Sequence, residues 1–173
     1  MKRTRGVILL GIKSFFSLIA LVLLTIVIHE GAHYVAALIM KVPIASFSWF
    51  DPRYFAPVFV SGSAEYALGM QVVSYAGGLV TGVLLLVILA LRRDWFRQSL
   101  YRWFLGLYMA TLGFWQLCQG ILEGAFHDMY IADATNIFSL SYLIGYASAF
   151  LGMAVYWLLM PGVKALLAKE KYG

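Results

Sequence analysis

His29, Glu30 and His33 interrupt an otherwise apolar stretch, TIVIHEGAHYVAALIM at 25–40. On a helix, positions i and i+4 lie on one face a turn apart, so the two imidazoles can grip a single metal ion. The pattern is H-E-x-x-H. Zinc suits the donor set, and the intervening glutamate can act as general base on a water held by the metal. Two histidines hydrogen-bonded inside a bundle, or a bis-histidine haem site, would use the same pair but leave the glutamate without a task. Ionisable groups are costly in lipid, and a chain that keeps them there needs them for function.

A catalytic zinc has three protein ligands and one open position, so a third ligand is required. Asp51 and Glu65 lie in the connection that follows the motif. Asp94 and Glu170 fall at the opposite end of the apolar segments. Glu123, Asp128 and Asp133 lie in LEGAFHDMYIADATNIF. The histidines stand 8 to 12 residues before Lys41, or about 12–18 Å inside the end of their helix at ~1.5 Å per residue. A partner must reach that depth. Glu123 closes a helix, Asp128 sits in a loop, and Asp133 opens the next apolar segment. Asp133 is the preferred ligand on this reading and Asp128 its rival. An aspartate at a helix start is also a common N-cap. His127 is a further candidate as fourth ligand or proton shuttle.

The elements that must position these groups are apolar helices. Of the 173 residues, 62% are hydrophobic and only 12% are charged, well away from a typical soluble domain. The expected fold is a single all-α membrane domain over 1–173. Its four transmembrane helices are expected at about 15–40, 68–91, 101–122 and 133–160, each long enough to span at ~20 residues. The opening MKRTRGVILLGIK resembles a signal-peptide n-region, but the apolar run continues through the motif to Met40, which predicts a retained span. The single cysteine, Cys118, makes no intrachain disulfide.

Eleven of the thirteen basic residues fall on one side of these spans, leaving Lys41 and Arg53 on the other. Positive-inside bias then predicts both termini in the cytoplasm. The net charge of +5 follows membrane topology, and no nucleic-acid partner is expected. Between the first two spans, Pro43, Pro52 and Pro57 break up an aromatic, β-branched stretch. Short extended or β-like segments around a turn at Asp51-Pro52-Arg53 are expected at the membrane surface. Such a segment is either an aromatic interfacial belt or an edge that pairs with an extended substrate. Gly77 and Gly78 enter the second span near the depth of the histidines. They suit either close helix packing or a cavity beside the site, and are candidate substrate-contacting positions.

HEGAH at 29–33, AGGLVTG at 76–82 and the aspartate of IADATNIF together resemble the site-2 protease family of intramembrane zinc metalloproteases. The first motif matches fully. The second lacks the family's proline, and the third has aspartate-alanine where leucine-aspartate-glycine is common, as in the family's smaller members. The resemblance covers roughly 15–150. It implies zinc on His29, His33 and Asp133, Glu30 as general base, and cleavage of a transmembrane protein or peptide within or beside the bilayer. The other function class considered is a non-proteolytic membrane protein of the same fold, acting as a regulator or binding partner. Glu30 argues for the enzyme, since a binding module needs no general base.

Overall fold

The computed structural model describes residues 2–51, 56–61, 67–133, 136–160, 162–163 and 166–168. It is a helical bundle with one small hairpin. The elements are α1 (Lys2–Met40), β1 (Ile44–Asp51), β2 (Ala56–Ser61), α2 (Ala67–Leu91), α3 (Arg93–Phe96), α4 (Leu100–Ala125), α5 (His127–Asp133) and α6 (Leu140–Leu159). Three helices are long and apolar enough to cross a membrane: Ile8–Met40, Leu68–Leu91 and Leu140–Leu159. α4 covers the expected third span but is less apolar than these. It is the packed centre of the bundle, lying against α1, α2 and α6.

α1 has no proline and runs unbroken from Lys2. It ends where Lys41 takes a left-handed φ of 55°. The amide of Val42 then donates to the carbonyl of Ala37 at 2.9 Å, and both side chains join one buried cluster. This is a Schellman closure with its apolar contact, followed by Pro43. β1 and β2 then pair antiparallel, with Phe47 opposite Phe59 and irregular register at both ends. Of the expected Asp51-Pro52-Arg53 turn, Pro52 and Arg53 lie outside the described residues, as do Lys164, Lys169 and Lys171 near the C-terminus.

The helices alternate in direction. His33 meets Val73 across α1 and α2. Ser17 meets Tyr101, and His29 meets Gln116, across α1 and α4. Tyr156 donates to the carbonyl of Trp103 across α4 and α6. α1 and α4 therefore run parallel, with α2 and α6 antiparallel to them. The late part of α1, the early part of α2 and the end of α4 meet at one end of the bundle. Small residues set the α2–α4 spacing: a Cβ on Gly78 would overlap the backbone of Gln116 and Gly120, and one on Gly82 would crowd the Gly113 carbonyl at 2.8 Å. Backbones packed this closely are typical of helix contacts in membranes.

The fourth apolar helix starts later than expected. Asp133 does not open it; Asp133 is the last residue of α5, and α6 begins at Leu140. The break is a turn at Asn136, whose Oδ1 accepts from the amide of Phe138 at 3.0 Å and whose carbonyl accepts from Ser139. Asparagine favours such turns because its side chain imitates a backbone carbonyl.

Gly78→Ala is expected to lower thermal stability by about 1–3 kcal/mol, the range for overpacking a tight contact. Gly31→Ala faces open space and should raise stability by about 0.5–1 kcal/mol as a mid-helix glycine replacement. Melting of the two variants in the same detergent checks the pair.

Candidate metal centre

His29 and His33 lie one turn apart on α1, with ring centroids 4.7 Å apart. Each ring is oriented through its Nδ1. His29 Nδ1 lies 2.6 Å from Gln116 Oε1 on α4, and His33 Nδ1 lies 2.6 Å from the Val73 carbonyl on α2. Carbonyl oxygens only accept, so both rings carry their proton on Nδ1. In the neutral rings both Nε2 atoms then present lone pairs to the cluster, and they lie 3.0 Å apart. Glu123 Oε2 completes the cluster, 3.3 Å from His29 Nε2 and 3.4 Å from His33 Nε2. It is buried and, among the described residues, has no hydrogen-bond partner beyond these ion-pair contacts.

Three electron-rich atoms thus converge in a buried space. Left alone they repel, and a buried acceptor without a partner costs about 1–3 kcal/mol. A cation at their centre removes both penalties. For metal–ligand bonds of about 2.0–2.2 Å, the ligands of a tetrahedral zinc stand about 3.3–3.5 Å apart, and the observed separations, 3.0, 3.3 and 3.4 Å, lie close to this. One proton on a histidine would turn the cluster into an ion pair, but it lies along a single contact and leaves the others unsatisfied. Among the described residues, His29, His33 and Glu123 form a group of potential metal ligands. The orienting contacts on both Nδ1 atoms are the outer-shell partners that histidine ligands ordinarily have.

Gly77 makes the space. A Cβ there would lie 2.7 Å from His29 Nε2 and would overlap His33 Nε2. Its neighbour Gly78 serves the helix contact instead. The two glycines that sequence reading grouped together therefore divide the two tasks considered for them.

The site lies deep along α1 and α2 but near the end of α4, where Glu123 is two residues from the helix terminus. α5 turns back over this shortened end. The hydroxyl of its Tyr130 accepts from Gln119 Nε2 at 3.5 Å. Burial, and after it the neighbouring Glu123 carboxylate, holds the Tyr130 phenol well above its usual pKa, so it stays a neutral donor. Glu30 is half-buried and acts electrostatically on Tyr130 more weakly than Glu123 does.

Among the described residues, the carboxylate brought to the histidines is Glu123, and the rival candidate Asp128 is not part of the cluster. Asp128 is exposed on the first turn of α5. The side chain of Asp133 lies outside the described residues. His127 is exposed, and its Nδ1 donates to the Glu123 carbonyl at 3.3 Å. A sequence signal for Glu123 existed: Gln116, Gln119, Gly120 and Glu123 fall at i, i+3, i+4 and i+7, one polar face on an otherwise apolar helix. No family model, curated protein or solved structure matches the chain.

Glu123→Ala and Gly77→Ala should each lose the metal while Asp128→Ala keeps it, measured as metal per chain on purified protein. Gln116→Leu should weaken metal binding by about 10–100-fold, the usual effect of losing an outer-shell partner, read by competition with a chelator.

Proposed function

We propose that this chain is an integral membrane zinc endopeptidase that cleaves a peptide bond in a membrane-embedded or membrane-adjacent substrate. The convergence of His29 Nε2, His33 Nε2 and Glu123 Oε2 with a glutamate adjacent to the first ligand carries the reading. Two histidines and a carboxylate leave one zinc position open, the pattern of catalytic rather than structural sites. Zinc held there would supply a Lewis acid and bring the pKa of a ligated water to about 7.

The chain's own groups do the remaining work. Glu30 takes the proton from the attacking water as its oxygen bonds to the scissile carbonyl carbon. As the carbon–nitrogen bond breaks, Glu30 returns that proton to the leaving amine. Gln116 and the Val73 carbonyl hold the imidazoles in the tautomer that presents Nε2. The bare Cα of Gly77 keeps the space open.

The membrane placement rests on three apolar helices and on large apolar side chains exposed along them, such as Phe15, Phe16, Leu91 and Leu158. In this reading α4 is the fourth span, with its polar stripe turned into the bundle. Both termini then lie in the cytoplasm by charge bias, and the site opens toward the opposite face. The resemblance to the site-2 protease family supports the same chemistry through HEGAH. Glu123 as third ligand departs from that family's aspartate. An ion pair between a protonated His29 and Glu123 favours a second reading, in which the cluster is a metal-free structural clasp in a non-proteolytic membrane protein.

Metal content and proteolysis together decide between them. We expect about one zinc per chain, and cleavage of β-casein or single-span peptides in neutral detergent. Glu30→Gln should keep the zinc and lose the cleavage. Full activity in that variant would remove Glu30 from the mechanism, and a purified wild-type protein without zinc would favour the clasp.

A further inference from the structure

At the end of the bundle away from the metal centre, α2 passes into α4 through a short turn containing Arg92, Arg93, Arg97 and Arg102. Asp94 is the one acidic residue between them. No salt bridge joins any of these arginines to a carboxylate among the described residues, so the turn carries a net excess of positive charge.

The turn is built rather than loose. Phe96 is 2% exposed and sits in the main core beside Trp103, Tyr156 and Met160. Ser99 caps α4 by accepting from the amide of Arg102. The Arg102 guanidinium lies over the Trp95 ring, 4.6 Å from its centroid, and also bonds the Gln98 side chain. Arg93 donates to the Leu159 carbonyl at 2.9 Å, fastening the turn to the end of α6. Arg92 and Arg97 are exposed and make no side-chain contact of this kind among the described residues.

Directly beside these charges the surface becomes apolar. Leu91 is 79% exposed and Leu158 is 77% exposed, with Leu159 and Trp157 also open. Guanidinium groups thus stand next to exposed apolar side chains at the end of α2 and, through the Arg93–Leu159 contact, at the end of α6. A phosphate suits the arginines, which offer paired donors to its oxygens. An acyl chain suits the leucines.

We propose that this corner binds the headgroup of an anionic phospholipid, with Arg92 and Arg97 as the principal phosphate ligands. Arg93 and Arg102 hold the turn in shape and add to the field. Clustered basic residues at the end of a spanning helix attract acidic lipids in this way. The inference rests on the membrane placement proposed above and does not involve the metal.

Native mass spectrometry of the whole protein, released from neutral-detergent micelles, tests it with dioleoyl phosphatidylglycerol and dioleoyl phosphatidylcholine. The anionic lipid should be retained preferentially. Loss of charge costs about fivefold for each arginine, so R92Q/R97Q should weaken retention by roughly 25-fold. Lys13→Gln should not change it. Unchanged metal content in both variants separates a failed lipid site from a failed metal centre. If R92Q/R97Q does not fold, the wild-type lipid comparison and R92Q alone decide. Equal retention of both lipids, or wild-type retention in R92Q/R97Q, would overturn the proposal. So would displacement of the lipid by millimolar inorganic phosphate, which would mark a site for free anions.

Discussion

A buried cluster of two imidazole nitrogens and a carboxylate oxygen is the constraint around which this bundle is arranged. His29 Nε2, His33 Nε2 and Glu123 Oε2 lie within 3.4 Å of one another. In water such groups would turn away and be solvated. Here each imidazole is held inward by a contact on its far side: Gln116 behind His29 and the Val73 carbonyl behind His33. Those contacts come from α4 and α2, and Glu123 comes from the end of α4, so the cluster draws on three helices at that end of the bundle. Such a cluster is relieved either by a proton that makes it an ion pair or by a cation among the three atoms.

The glycines show how the bundle meets this demand. Gly78 and Gly120 let α2 and α4 touch backbone to backbone, which brings Gln116 and Glu123 within reach of α1. One residue earlier, Gly77 withholds the methyl that would fill the centre. Adjacent positions on one helix thus close one gap and preserve another. The dense, largely apolar packing of α4 against α6, around Trp103 and Tyr156, anchors the far end and leaves the polar stripe of α4 to the site.

How much of this was legible depended on the range of the interaction. The histidine pair is a local feature, since i and i+4 meet on any helix, and it could be read directly. The apolar helices were also legible because their hydrophobic runs exceed what a soluble fold requires. Glu123 was visible as a candidate closing the third helix, but Asp133 was preferred on depth, on its place at the start of an apolar segment and on the family resemblance. Asp133 was favoured because the apolar pattern from 133 to 160 reads as one helix, while the Asn136 turn divides it. Gln116 depends on a contact with His29, 87 residues away in the chain, which periodicity does not reveal.

The early end of α4 also bears on how a bound ion would leave. Terminal turns fray at far lower free energy than a core helix unfolds. His29 and His33 sit mid-helix, whereas Glu123 rides on the last turn of α4. Opening that turn would withdraw one ligand and leave two in place. The residence time of the ion would then follow a local fluctuation at this end of α4, checked by α5 through Tyr130, rather than the lifetime of the fold.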